Sequence, residues 1–151
     1  WKSLNISWSI FAAEQAISSP LLDRIDIHIE IVPVPFEKLS KKEELESSET
    51  IRKRVINARN IQSKRFEKYP GIYCNAQMSS KLIREFVQLD TESENRLKTA
   101  INRLNLSARA YDKILKVART IADMDNSENV KPNHISEAIN YRNLDREGWG
   151  G

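Results

Sequence analysis

The isoleucines at 25, 27, 29 and 31 alternate with Asp26, His28 and Glu30. A period of two in β-branched residues predicts a half-buried strand over 25–31. Pro33 and Pro35 end it, because proline cannot donate to a ladder. A lone strand needs partners, in residues 1–18, in another copy, or outside this chain. Upstream the pattern is ambiguous: Leu4, Trp8 and Phe11 fit one helical face, and Ser18-Ser19-Pro20 breaks it.

Beyond Pro35 the periodicity changes. Residues 37–49 are charged and Ser-rich and read as a solvated connector. A helical pattern over 49–66 sets Ile51, Val55, Ala58 and Gln62 on one side, and Tyr69-Pro70-Gly71 stops it. Four more helices are predicted. The first covers 79–86, with Ser79 as its cap. The second covers 90–105, opened by a Thr91/Glu94 capping box. The third covers 107–124 and has a wide apolar face of Ile114, Leu115, Val117, Ala118 and Ile121. The fourth starts at Pro132, a residue suited to a first turn, and carries Ile135, Ala138 and Ile139. Residues 70–145 therefore read as a compact helical bundle.

Composition narrows the function. The 151 residues are 40% hydrophobic, enough for one ordinary core. No run approaches the roughly 18–20 apolar residues that a membrane span requires. The single cysteine, Cys74, excludes an internal disulfide and a Cys-rich zinc site. Four glycines are too few for the Gly-rich phosphate loops of nucleotide enzymes. His28 and His134 are too far apart in sequence to signal a metal and read as structural, so no metal site is expected. The chain starts at Trp1 without the marks of a signal peptide, so the expectation is a piece of a larger, cytoplasmic protein.

Three basic features are candidates for chemistry. Arg24 stands where a loop becomes the strand, and its planar charged fork suits a phosphate. Spacing alone favours the plainer alternative, a surface pair with Asp23 or Asp26. Arg109 lies in the first turn of the helix after Ser107, where the macrodipole prefers anions. An external anion there, or an ion pair with Asp112 or Glu94, would account for it equally well. The helix at 49–68 carries Arg52, Lys53, Arg54, Arg59, Lys64, Arg65 and Lys68, a run able to track a nucleic-acid backbone. No aromatic residues interleave for base stacking, which favours a solvated face.

Two runs are more specific than composition explains: residues 20–30, PLLDRIDIHIE, and residues 106–123, LSARAYDKILKVARTIAD. With Asn75-Ala76-Gln77, residues 134–139 (HISEAI) and Tyr141-Arg142, they resemble the C-terminal region of magnesium-chelatase-like AAA+ proteins of the competence-related ComM type. The resemblance covers about residues 19–146; Ser19 stands where glycine is usual. It implies a mainly α fold: one β-strand segment left from the AAA+ α/β core, followed by a helical lid bundle. The implied division is 1–36 core remnant, 37–69 connector and basic helix, 70–146 lid and 147–151 tail.

The resemblance also implies a mechanism. Arg24 would be the arginine finger on a neighbouring subunit's nucleotide, and Arg109 the sensor-2 residue reaching phosphate from the lid. Both would stabilise charge on a transferring phosphoryl group. ATP and Mg²⁺ are implied for the parent protein and neither for this piece, whose resemblance begins after the Walker A and Walker B motifs. The implied partners are neighbouring subunits of a homo-oligomeric ring and single-stranded or branched DNA, with Arg52, Lys53, Arg59 and Lys64 as DNA contacts. A metal-insertion motor of the magnesium chelatase type and a non-catalytic helical binding module are the alternatives.

Overall fold

The computed structural model describes residues 24–29, 31 and 46–142. The expectations for residues 1–18, for Pro33 and Pro35, for most of the connector and for the 147–151 tail lie outside them. The described part holds five α-helices: α1 (Ser48–Arg65), α2 (Ser80–Phe86), α3 (Thr91–Leu104), α4 (Ala108–Met124) and α5 (Pro132–Asn140). A 3₁₀ turn at Asn75–Gln77 lies between α1 and α2.

Four of the five helices begin where a polar side chain caps otherwise orphaned N–H groups. Ser47 Oγ accepts from Thr50 N, Ser79 Oγ from Leu82 N, and Ser107 Oγ from Ala110 N. At α3 the cap is Asp90, whose carboxylate accepts from Ser93 N at 2.7 Å. Thr91 is instead the first helical residue, so the expected Thr91/Glu94 capping box does not form. Asp90 is the stronger cap because its negative charge also meets the positive end of the helix dipole. At α5, proline follows the N-cap Lys131, and His134 Nδ1 accepts from Lys131 N at 3.0 Å.

Helix α4 is the hub: it packs against α5, α1, α2 and the 3₁₀ turn, while α3 also packs on α5. Its inner face alternates branched and small side chains, with Ala110, Ile114, Ala118 and Ala122 all at or below 1% exposure. The alanines let neighbouring backbones approach closely, and Ile114, Leu115, Ile83, Leu97 and Ile135 fill the space between. Phe66, Tyr69 and Phe86 stack edge to face at one end, with centroids 5.5–6.4 Å apart. Tyr69-Pro70-Gly71 follows the end of α1, and Gly71 takes φ +81°, a left-handed conformation that glycine adopts without strain.

The alternating segment differs from the expectation. Residues 24–29 and 31 form turn, bend and coil, and no strand occurs among the described residues. The apolar side of the alternation faces outward: Ile27 is 46% exposed and Ile31 88%, while His28 is buried. A strand is held by ladder bonds to a second strand, and the described residues supply none. The segment therefore takes its bonds from the bundle.

Two measurements check this packing. Ile114→Ala is expected to cost about 2–5 kcal/mol in urea unfolding, and Ile29→Ala to stay within about 0.5 kcal/mol. The backbone hydrogen bond from Ser93 holds the Asp90 carboxyl below its ordinary value of 3.8. A depressed folded value means stability that is present above pH 3.8 and lost as pH falls through the lower folded value. Asp90→Asn should flatten this part of the acid limb of a stability–pH curve.

Candidate functional site

Arginine chemistry organises the molecule, and its side chains divide into two sets. Arg24 and Arg109 are exposed. Arg65, Arg119 and Arg142 are turned inward.

The inner set centres on Asp123, whose side chain is fully buried. Arg65 grips the Asp123 carboxylate in bidentate fashion, with Nη1 at 2.7 Å and Nη2 on the second oxygen. Arg119, one turn earlier on α4, donates Nε to Asp123 Oδ1 at 3.1 Å. Its two terminal nitrogens reach the carbonyls of Glu128 and Ser127 at 2.7 and 2.6 Å. Asn75 completes the set, giving Nδ2 to Asp123 and Thr120 and accepting from Arg65. Burial pulls the Arg119 guanidinium below its usual range; the Asp123 charge opposes that fall and Arg65 adds to it. The cluster thus joins α1, the 3₁₀ turn, α4 and the loop after α4.

Arg65 belongs to the basic run that the sequence offered to nucleic acid. The structure removes it from that surface, because Asp123 lies beneath the end of α1. Arg54 is also engaged, in a bidentate pair with Glu46 at 2.7 and 3.0 Å. Arg52, Lys53, Arg59 and Lys64 remain exposed, with Lys53 paired to Glu49 at 2.8 Å. At about 100° per residue these four fall within a sector of about 140°. That sector points away from the stripe of Ala58 and Gln62 that meets the bundle. Ile51 and Val55 continue the stripe but stay 42% and 41% exposed, so only the C-terminal half of α1 is covered.

One ion pair ties the segment after Arg24 to the helix that carries Arg109. Lys113 Nζ lies 2.7 Å from Asp26 Oδ1. Lys113 is one helical turn beyond Arg109 and shares its face, while Asp26 is two residues beyond Arg24. The pair therefore docks the Arg24 segment on the Arg109 face of α4. It also takes up Asp26, one of the two carboxylates considered as a surface partner for Arg24. Asp112, one of the two carboxylates considered for Arg109, accepts from Ser80 Oγ at 2.7 Å. The first turn of α4 contains no acidic residue.

The remaining candidates serve the fold. His134 Nε2 meets Asp125 Oδ2 at 3.2 Å while its other nitrogen caps α5. Cys74 Sγ donates to Gln77 Oε1. A groove of about 1150 Å³ between α3 and α5, lined by Thr91, Arg96, Arg103 and Ser136, includes neither Arg24 nor Arg109. No group of three His, Cys, Asp or Glu side chains among the described residues could hold a metal ion. No helix among them is long and apolar enough to cross a membrane. The inner cluster escaped the sequence reading as a site, although Asn75, Arg119 and Asp123 all lie in the runs that carried the resemblance.

Residues 45–142 match the family model described as magnesium chelatase, subunit ChlI C-terminal. The chain is 42% identical over 132 residues to the uncharacterized protein YifB of Escherichia coli, covering 86% of this chain and 25% of that protein. It is 37% identical over 131 residues to the Competence protein ComM of Haemophilus influenzae, covering 86% and 25%. An uncharacterized protein of Mycobacterium tuberculosis is 29% identical over 126 residues, covering 83% and 25%. The chain thus spans about a quarter of the length of these curated relatives.

Removing the central carboxylate leaves two guanidinium groups facing each other without compensation. Asp123→Ala should cost about 3–5 kcal/mol in chemical denaturation. Asp123→Ala combined with Arg119→Met should cost clearly less than the sum of the single changes, because the residues are coupled.

Proposed function

Because this chain belongs to the magnesium chelatase ChlI C-terminal family, we propose that it is the lid and arginine-bearing part of a ring-forming AAA+ ATPase that remodels DNA. The observation that carries this reading is the Asp26–Lys113 ion pair, which ties the segment after the exposed Arg24 to the helix that carries the exposed Arg109. Arg24 precedes the docked segment and Arg109 sits in the first turn of α4.

In this reading Arg109 engages phosphate in its own subunit or its neighbour's. Its guanidinium stands at the positive end of α4, where an anion is favoured and where no side-chain carboxylate occupies the first turn. Arg24 serves the neighbouring subunit's nucleotide as the arginine finger. A guanidinium offers permanent charge and a fork of donors, which suits the equatorial oxygens of a phosphoryl group in flight. Both residues act by stabilising developing charge, so neither needs to change protonation. ATP and Mg²⁺ supply the transferred group and its charge neutralisation; the described residues contribute guanidinium groups toward phosphate and no ligand cluster toward the metal.

DNA is favoured over a tetrapyrrole-loading protein partner by the outer sector of α1. Arg52, Arg59 and Lys64 lie exposed along one side of it, and a row of cations spaced along a helix suits the spacing of backbone phosphates.

The test is ATP hydrolysis by the full-length protein, with and without forked DNA at fixed low salt. Arg24→Ala should lower kcat by about 10³-fold or more while ATP binding is retained. Arg109→Ala should weaken nucleotide affinity, turnover or both. Reversing Arg52, Arg59 and Lys64 to Glu should remove DNA stimulation and reduce the salt dependence of DNA binding. Turnover indifferent to Arg24 would remove it from the mechanism. Hydrolysis indifferent to DNA would transfer the assignment to a chelatase-type motor that awaits a protein partner.

A further inference from the structure

The segment that follows Arg24 is tied to the helical bundle at three successive points. The carbonyl of Ile25 accepts from Arg142 Nη1. The Asp26 carboxylate pairs with Lys113. The backbone N–H of His28 donates to the carbonyl of Tyr141 at 2.8 Å. Two of these anchors lie just past the end of α5 and the third lies on α4.

The anchors differ in kind. Arg142 is 1% exposed, and burying a guanidinium is costly unless its donors are bonded. A buried cation that donates to the backbone of residue 25 makes this segment part of the bundle. The Asp26–Lys113 pair is more open, with side chains 58% and 18% exposed. It connects the segment to the α4 face that carries Arg109. The isoleucine side chains, by contrast, point away from the bundle.

We propose that Asp26 and Lys113 form a latch that, added to the backbone anchors at Ile25 and His28, fixes how Arg24 is set against the lid, so that the position of Arg109 in one subunit sets the reach of Arg24 toward the next. Lys113 and Asp26 are positioning residues; neither is proposed to touch nucleotide. The catalytic part of this inference rests on the finger reading of Arg24 given above, whereas the latch itself rests only on the geometry. Because a displacement of about 1 Å can cost a hundredfold in rate, loosening one ion pair is enough to register in turnover.

Charge reversal in the full-length protein separates the two parts. Asp26→Lys and Lys113→Asp should each lower kcat for ATP hydrolysis by about tenfold to a hundredfold, with KM for ATP within about twofold. The double variant, Asp26→Lys with Lys113→Asp, should recover most of the lost rate. Asp26 is 58% exposed, so thermal melting of the Asp26→Lys protein should barely change. A second readout does not depend on activity: the distance between nitroxide labels attached through Arg24→Cys and Arg109→Cys, in a background with the other cysteines removed. It should be single and narrow, should broaden or shift on Asp26→Lys, and should return on charge exchange. An unchanged distance in the Asp26→Lys protein overturns the latch. A distance that responds while kcat does not overturns the catalytic role of Arg24 and leaves the latch standing. Two single variants that slow turnover without rescue in the exchange protein overturn the pairing as the cause.

Discussion

The buried carboxylate of Asp123 is the constraint on which the arrangement of this domain depends. It lies on the inner face of α4 and receives two guanidinium groups, one from its own helix and one from α1. A lone buried carboxylate or arginine would be strongly destabilising, and together they satisfy one another only if all the elements are in place. Arg119 extends the network to the loop before α5, and Asn75 extends it to the 3₁₀ turn. The register of α1 against α4 is thereby specified by charge as well as by the fit of apolar side chains. Without it, α1 would offer the bundle only a weak stripe, since Ala58 and Gln62 bury little apolar surface.

This internal demand explains why a chain rich in basic residues presents fewer of them than its sequence suggests. Arg65 and Arg119 neutralise Asp123, Arg142 holds the backbone of residue 25, and Arg54 pairs with Glu46. Arginine suits the buried tasks because its planar fork bonds several acceptors at once and never loses its charge. The same property suits Arg24 and Arg109 to phosphate.

Coupling between two sites requires a physical connection with differential contacts. Helix α4 provides a short one. Its first turn carries Arg109, its second turn holds the segment after Arg24 through Lys113, and its last turn carries Asp123. The bundle fixes α4 firmly through a core of fully buried side chains, whereas the ion pair at Asp26 is half open to solvent. Rigid packing at one end and a breakable contact at the other are properties expected of a lever.

The helices and their limits were legible along the chain because capping and periodicity are local. Ser79, Ser107 and Pro132 sit where they open helices, and the Ile114, Leu115 and Ala118 face of α4 turned inward as its spacing required. At α3 the local signal named the wrong neighbour: Asp90 and Thr91 can both cap, and the charge of Asp90 against the helix dipole decided. The alternation at 25–31 was real as a pattern but could not specify its partner. A strand exists only through a second strand, and a segment without one among the described residues bonded instead to Arg142, Lys113 and Tyr141. In the same way, sequence identified Arg24, Arg65, Arg109 and Arg119 as cations and could not sort them. Their roles depend on which acceptors lie within about 3 Å, and only the packing of α1, α4 and α5 brings Asp123, Asp26 and the carbonyl of Ile25 to that distance.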